Sequence, residues 1–414
     1  MHKVKDLTLK EQGEQKLKWV ESRMKVVNSF VMDHIKEKPL NGINIGMSLH
    51  LEAKTAILAA SLERLGASVS VTSSNPLTAQ DDVAAALTER VSHVYAWRGE
   101  TPKEYDDNHR LILNDRPNII IDDGADLSIM AIETKRTKDI IGAAEETTTG
   151  VKRFKALERE HLLKFPVIAV NDAKGKYLYD SRFGTGQSSV DGILRSTNMM
   201  IGGKRAVVAG YGWVGRGVAS RLRGMGANVT VVEVDPYRAL EAYFDGYTVN
   251  GMDEASQYGD LFITCTGNVR IITLKHFEKM KDGAVLLNVG HFDVEVDARA
   301  LRQNASSIKD ARPNVQEFTM KGGKKLYLIA EGRLANLAAA DGHPIEVMDL
   351  TFGLQLESAI YLAKNHQKMK DIVYKVPDDI DELTVRRFLE LNGIRVDRLT
   401  DEQKKYQKSW QEMS

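Results

Sequence analysis

An α/β protein with two doubly wound parallel sheets facing across a cleft, plus a small helical C-terminal tail, is the fold class predicted from three observations. Short apolar strands alternate with amphipathic helices in two series, one on each side of residue 200. The second series opens on Arg205-Ala-Val-Val-Ala-Gly-Tyr-Gly-Trp-Val-Gly-Arg216, where an apolar strand runs into a glycine-rich turn and then a helical pattern. The chain has 414 residues, 43% hydrophobic and 28% charged, enough for two or three domains of roughly 150 residues each.

The elements follow in order. Residues 12–37 are predicted to form one helix, with Trp19, Met24, Val27, Phe30 and Val31 spaced for one apolar face. Strands are expected at 43–47, 68–72, 93–97 and 118–121, and helices at 55–65, 79–89 and 104–113. Gly66 ends the first of these helices. Strand, helix, strand in repetition predicts a parallel sheet, because parallel neighbours need a crossover and the helix supplies it. A helix is expected over 151–160. The second series starts near Gly203, with strands at 206–209, 229–234, 261–264 and 284–288. After Pro344 an apolar helix over 345–364 could lead the chain back to the first sheet. Residues 378–414 read as charged and helical.

Gly210-x-Gly212-x-x-Gly215 between a strand and a helix has a physical reading. Gly210 permits the tight turn, Gly212 lets backbone approach a pyrophosphate, and Gly215 lets helix and strand pack closely. The helix N-terminus attracts phosphate charge. Glu233, near the end of the next strand, lies 23 residues beyond Gly210, close to the roughly 20 expected for an acid that holds a ribose diol. It would repel a 2′-phosphate, so the cofactor is expected to be NAD and not NADP. The turn stands mid-chain, so a second domain must hold the chemistry that the cofactor serves.

Charge and composition narrow the remaining classes. Lys+Arg and Asp+Glu both number 57, so no global field points to nucleic acid or an anionic membrane. Cys265 is the single cysteine, which excludes an internal disulfide and suggests a reducing, cytoplasmic home. The polar N-terminus lacks an apolar signal core, and no apolar run of about 18 residues predicts a membrane span.

In open α/β sheets, ligands bind at the carboxyl ends of strands. His50, Asn75 and Asp122-Asp123 are predicted there in the first series; Thr266, Asn288 and His291 are predicted there in the second. Asp122-Asp123-Gly124 is either a helix cap with a solvated acid or a general base at a strand end. Glu145-Glu146-Thr147-Thr148-Thr149-Gly150 is a capping turn by composition, yet its hydroxyls could hold a polar ring such as nicotinamide. Lys176 and Asp180 share a helix face. They form either a surface ion pair or a site where burial lowers the lysine pKa so that it accepts a proton. His291 and His343 sit in glycine-bounded turns. There is no HxxxH or CxxC spacing, so no metal is expected. Neither a GxSxG nor a Cys/His pair supports a covalent nucleophile.

Taken together, these segments resemble the S-adenosylhomocysteine hydrolase family. The resemblance runs from about Trp19 to Tyr406. It rests on Ser-Leu-His50-Leu, Ser74-Asn75-Pro-Leu-Thr-Ala-Gln80-Asp81, Val94-Tyr-Ala-Trp-Arg-Gly-Glu-Thr101, Asp122-Asp123-Gly, Glu145-Glu146-Thr-Thr-Thr-Gly150, Gly210-Tyr-Gly, Asn288-Val-Gly-His-Phe-Asp-Val-Glu295 and Ala330-Glu-Gly-Arg-Leu-Ala-Asn-Leu337. It implies reversible hydrolysis of S-adenosyl-L-homocysteine to adenosine and L-homocysteine. Bound NAD oxidises the 3′-hydroxyl, elimination and water addition follow, and the ketone is then reduced. Lys176 and Asp180 match the pair that handles the 3′ proton, and Asp123 matches the base for C4′. His50 and His291 match groups that manage protons at C5′. Glu146 and His343 match residues around the ribose hydroxyls and the entrance. The implied cofactor set is Thr147, Thr148, Thr149, Gly210, Gly212, Val214, Gly215, Glu233, Asn268, Asn288, His291, Asn336 and Tyr406. The family pattern also implies a homotetramer whose tail contacts a neighbouring subunit.

On this reading residues 1–185 begin a substrate-binding domain and 186–343 form a Rossmann-like NAD-binding domain. Residues 344–377 return to complete the first domain, and 378–414 form an oligomerisation and cofactor-contact tail. The sequence departs from the family pattern at Ser181, Thr185, Ala125 and Glu402, where asparagine, cysteine, glycine and lysine respectively are frequent. Glu52, Lys54 and Thr55 lie where the family reads the purine. Lysine only donates and ionised glutamate only accepts, so the pair suits hypoxanthine in one pose and adenine in another. S-inosyl-L-homocysteine is therefore the alternative substrate. An NAD-dependent hydroxy-acid or amino-acid dehydrogenase and a non-enzymatic NAD-binding regulatory protein are the more remote readings.

Overall fold

The structure, a computed structural model, describes residues 2–290 and 293–410. Among these residues two sheets of eight strands are formed. The first half contributes Lys3–Val4 (β1), Asn44–Leu49 (β2), Ser68–Ser73 (β3), His93–Ala96 (β4), Ile119–Asp122 (β5), Gly142–Glu145 (β6) and Val167–Ala169 (β7). The second sheet contains Arg205–Ala209 (β8), Asn228–Val232 (β9), Thr248–Val249 (β10), Leu261–Thr264 (β11), Ala284–Asn288 (β12), Ala305–Arg312 (β13), Val315–Met320 (β14) and Lys325–Ile329 (β15). Val373–Lys375 (β16) rejoins the first sheet beside β7.

The first sheet has the order β1-β4-β3-β2-β5-β6-β7-β16, with every neighbour parallel. Its central strands are Ile/Val-rich and buried on both faces, as a sheet covered by helices on two sides requires. The strand order reverses between β2 and β5, whose carboxyl ends lead into His50 and Asp123. The second sheet has the order β10-β9-β8-β11-β12-β15-β14-β13, and it reverses between β8 and β11. The Gly210 turn follows β8. Each sheet therefore opens a crevice at its own switch point.

The structure corrects several expectations. The second sheet is not wholly parallel: β15, β14 and β13 form an antiparallel meander at its edge. Its outermost strand is exposed on both faces and carries Lys309, Asp310 and Arg312. Such charges blunt an open edge. The segment expected as one helix over 12–37 is two, Lys10–Glu21 and Lys25–His34. Asp349, on the distant helix Ile345–Asn365, accepts the Val26 and Val27 N–H groups at 2.8 and 2.9 Å. This long-range cap satisfies the start of the second helix and lets the chain turn. Trp19 is consequently off the apolar face and 59% exposed, under the Arg23 guanidinium.

The helix Ile345–Asn365 carries the chain back. Phe352, Leu354, Leu356 and Ile360 join the same core as Phe30, Met47, Val69 and Ile121. The tail forms Asp378–Leu391 and Asp401–Lys408, with an exposed, non-helical stretch between them.

Candidate active site

A cavity of about 830 Å³ lies where the carboxyl ends of the two sheets meet. It is lined by His50, Glu52, Lys54, Thr55, Asp123, Glu146, Thr147, Thr148, Thr149, Lys176, Asp180, Gly210, Gly212, Val214, Glu233, Asn268, Asn336 and His343, all singled out from the sequence. Gly215, Asn288 and Tyr406 are not on its wall. Gly215 sits behind the turn, where an added Cβ would fall 1.9 Å from the Gly210 carbonyl oxygen. Buried Asn288 accepts the Thr264 hydroxyl and the Gly290 N–H at 3.1 and 2.8 Å, so it shapes the loop after β12. Tyr406 is 55% exposed on the last helix. His291 lies outside the described residues.

The rim of the first sheet is a cluster of buried charges. Lys176 and Asp180 stand four apart where a short helix runs into a π-helical turn, Asp180–Gly184. The Lys176 Nζ donates to Asp180 Oδ1 at 2.8 Å and lies 3.6 Å from Glu146 Oε1. Asp180 Oδ2 is 2.9 Å from His343 Nδ1, and His343 Nε2 is 3.0 Å from the Thr185 hydroxyl. Gln355 donates to Glu146 Oε2 at 2.7 Å.

Protonation here departs from the sequence expectation that burial lowers the Lys176 pKa. Burial does act in that direction, but Asp180 and then Glu146 outweigh it and hold the ammonium above the usual lysine range. Burial alone would raise the Asp180 carboxyl, yet His343 and Lys176 keep it well below the carboxylate range. For Glu146 burial prevails over Lys176, and the carboxyl is pushed up to about 8. Low dielectric strengthens the pairing and also penalises any charge lacking its own partner.

Asp123 follows β5, with its N–H on the Ser48 carbonyl at 2.9 Å. His50 Nε2 lies 3.4 Å from Asp123 Oδ2, and His50 Nδ1 lies 2.8 Å from the Thr78 hydroxyl. Thr55 donates its hydroxyl to the His50 carbonyl at 2.7 Å, fixing the start of the turn. Gly124 and Ala125 both adopt left-handed backbone, with φ of 101° and 68°. For alanine this costs about 1 kcal/mol.

Glu52 and Lys54 are both buried, 4% exposed. Their side chains meet at 2.6 Å. Glu52 caps the helix Ala53–Arg64 through the Lys54 and Thr55 N–H groups, and Lys54 Nζ also donates to the Asp341 carbonyl at 2.9 Å. One Lys54 donor remains.

The second rim is made of backbone. Gly210 has φ 101°, and a Cβ there would come within 2.9 Å of the Cys265 carbonyl. A Cβ on Gly212 would meet only Arg238, at 3.7 Å, so that face is open. Gly212 caps the helix Trp213–Gly224 with no side-chain bond, leaving its first N–H groups to a ligand. The Glu233 carboxylate accepts the Tyr211, Val234 and Asp235 N–H groups at 2.6, 2.7 and 3.1 Å and faces the cavity. Asn336 Oδ1 is buried with no partner among the described residues. An open glycine face, uncapped N–H groups, an acid and an orphan acceptor fit a dinucleotide with an adjoining amide. Among the described residues no group of three or more His, Cys, Asp or Glu is arranged to hold a metal ion, and no helix is long and apolar enough to cross a membrane.

Sequence reasoning missed several wall and support residues. Met348, Phe352 and Gln355 belong to the return helix, and Lys152, Asn171 and Trp213 also line the cavity. Gln355 left a signal: it is a polar residue in the middle of an apolar helix.

Residues 1–139 match the family described as S-adenosyl-L-homocysteine hydrolase, and residues 181–342 match its NAD binding domain. The chain is 52% identical to an adenosylhomocysteinase of Sulfolobus acidocaldarius over 409 residues, covering 99% of each chain. It is equally 52% identical to an S-inosyl-L-homocysteine hydrolase of Methanocaldococcus jannaschii over 415 residues, covering 100% of each. An adenosylhomocysteinase of Thermotoga maritima is 50% identical, covering 96% of this chain and 99% of the relative.

Proposed function

The chain belongs to the S-adenosyl-L-homocysteine hydrolase family, and on that premise we propose how its cavity works and which purine it takes. The protein is a hydrolase that uses NAD. Its reaction is the reversible hydrolysis of S-adenosyl-L-homocysteine to adenosine and L-homocysteine. The observation carrying this reading is one cavity that joins a dinucleotide turn to two buried acid–base groups, Lys176–Asp180–Glu146–His343 and Asp123–His50.

When bound, NAD supplies a hydride acceptor for the sugar's 3′-carbinol and returns the hydride at the end. Lys176, kept as an ammonium, donates to the carbinol oxygen and steadies the charge that develops there. Glu146, pushed up to about 8, is the neighbour that exchanges a proton near neutral pH, and it takes the hydroxyl proton. Asp180 stays ionised and fixes Lys176 and His343. Asp123 removes the C4′ hydrogen once the neighbouring ketone has made it acidic. His50, facing Asp123, handles the proton at C5′ as the thiolate leaves and water adds; His291 is assigned to the same task. Thr147, Thr148, Thr149 and Asn336 would hold the nicotinamide, and Glu233 would hold the ribose diol.

The base is read by Glu52 and Lys54. The remaining Lys54 donor needs an acceptor, which adenine offers at N1 and hypoxanthine at O6. Glu52 then accepts from adenine N6 or hypoxanthine N1–H. Equal identity to adenosyl- and inosyl-named relatives favours neither, so turnover of S-inosyl-L-homocysteine is the second reading. The test is thiol release from both compounds side by side, with wild type and with the Glu52→Thr/Lys54→Glu double variant. The double variant should shift preference toward adenine by about tenfold to a hundredfold. Absence of thiol from both compounds sinks the hydrolase reading; an unchanged ratio in the double variant removes these side chains from base recognition.

The domain limits near residues 185, 343 and 377, a cytoplasmic location and a homotetramer belong to the same proposal. Supporting the last, Tyr406 stands exposed on the final helix while Tyr237, Tyr243 and Phe244 are exposed on the helix that follows Glu233. Removing residues 392–414 should lower the mass measured by light scattering.

A further inference from the structure

We propose that Arg153 and Glu145 are positioning residues that hold the base Asp123 by clamping the next residue, Gly124, at its N–H and at its carbonyl. The inference rests on the reading of Asp123 given above. The Glu145 carboxylate accepts the Gly124 N–H at 2.9 Å. The Arg153 guanidinium donates to the Gly124 carbonyl oxygen at 2.5 Å and to Asp126 Oδ1 at 2.6 Å. Asp126 is held in turn by the Tyr105 hydroxyl at 3.0 Å. The clamp acts where the backbone is least content. Gly124 and Ala125 are consecutive left-handed residues, and alanine gains nothing from that conformation. Without restraint the turn relaxes, and Asp123, one residue upstream, moves with it.

Glu145 ends β6, the neighbour of β5, and Arg153 lies on the helix Thr148–Arg159 that follows it. Glu145 also accepts the Thr147 N–H and hydroxyl, each at 2.8 Å, so one carboxylate ties the turn of the base to the threonine turn. Gly150 makes room for it, since a Cβ there would lie 2.1 Å from the Glu145 carboxyl carbon. Arg153 sits one helical turn beyond Gly150, is not among the residues lining the cavity, and hydrogen-bonds Gly124 and Asp126. It is therefore the cleaner handle.

The experiment uses NAD-loaded protein with adenosine or inosine, whichever wild type oxidises, in deuterated water. It follows reduction of bound cofactor by absorbance and exchange of the C4′ hydrogen by NMR. Arg153→Met should leave cofactor reduction within about twofold of wild type while C4′ exchange falls about tenfold or more, as a misplaced base predicts. Arg153→Lys, which keeps a donor, should recover part of the loss. Ala125→Gly in the Arg153→Met background should also restore exchange, because glycine holds the left-handed turn unaided. The Gly124 amide should exchange with solvent faster in Arg153→Met than in wild type. The proposal is overturned if both half-reactions fall together, if C4′ exchange is unchanged, if Ala125→Gly restores nothing, or if the Gly124 amide is unaffected. Wild-type protein that neither reduces its cofactor nor exchanges the hydrogen would instead refute the functional reading itself.

Discussion

The two rims of the cavity solve opposite problems by opposite means. On the first-sheet side the working groups are side chains, buried and charged, and each depends on a neighbour for its protonation state. On the second-sheet side backbone N–H donors, exposed by the lack of side chains, stand beside the polar side chains of Glu233 and Asn336. One rim is sensitive to a change of charge at constant shape. The other is sensitive to a single added carbon at constant charge. The sites thus differ in what breaks them.

The greatest loss is expected on the glycine side. Gly215→Ala places a carbon 1.9 Å from the Gly210 carbonyl oxygen and 2.7 Å from its carbon, a backbone group that cannot yield as a flexible side chain would. It should cost about 3 kcal/mol or more and release NAD, seen as a lower melting temperature and no dinucleotide in the denatured supernatant. Gly212→Ala meets only Arg238, so it should fold normally and lose affinity alone. Equal damage from both would erase the distinction between turn geometry and ligand access.

On the charged side, isosteric changes should separate the half-reactions. Asp123→Asn should lower thiol release about a thousandfold while substrate still reduces bound NAD. Lys176→Met should abolish both, because oxidation comes first. Thiol release at the wild-type rate from Asp123→Asn would remove it as the base.

A smaller effect concerns pH. Glu146 is pushed up to about 8 by burial, so its ionised, proton-accepting form grows as pH rises toward and through that value. Single-turnover reduction of bound NAD should therefore climb with pH and level off above about 8. Glu146→Gln should be slow and flat over the same range. A variant that retains the climb would place the titrating group elsewhere.

The smallest effect tests burial away from chemistry. Glu100, near the β4 end, accepts the Trp97 N–H and the Asn108 amide, and burial pushes it up to about 7. Its folded pKa lies above the unfolded value of 4.5. Its contribution is thus fully present below 4.5 and is lost as pH rises through 7. Glu100→Gln should flatten the stability–pH curve across that interval in denaturant titrations. If the slope persists, Glu100 is not its source.

The same contrast explains what the sequence could convey. The glycine turn and Glu233 were readable because their spacing is local and each residue has one reason to be there. The strand–helix alternation made both sheets legible for a similar reason. The charged rim was readable as residues but not as protonation states: spacing showed Lys176 and Asp180 four apart, but not that Asp180, joined by Glu146 from the turn after β6, would outweigh burial and reverse the expected lysine shift. Gln355 and the Asp349 cap act across more than two hundred residues, and no local pattern encodes that. The outer strand β13 was missed because it is polar on both faces, leaving no alternation to detect, whereas β15 alternates over a few residues only and was passed over.

The return of the chain to its first sheet also bears on how the molecule is made. Val167 on β7 pairs with Val373 on β16, and the helix Ile345–Asn365 fills the first core. A chain emerging from the ribosome therefore exposes the apolar strands of its first sheet while the whole second sheet is synthesised. The second sheet is contiguous and can close as soon as it emerges. The first must wait for a helix that arrives near the end. Such long-range parallel closure is slow, and the waiting surface is open to aggregation. Newly made protein should therefore acquire its cofactor platform before its catalytic platform, and in the interval the unfinished half is the part that needs a chaperone.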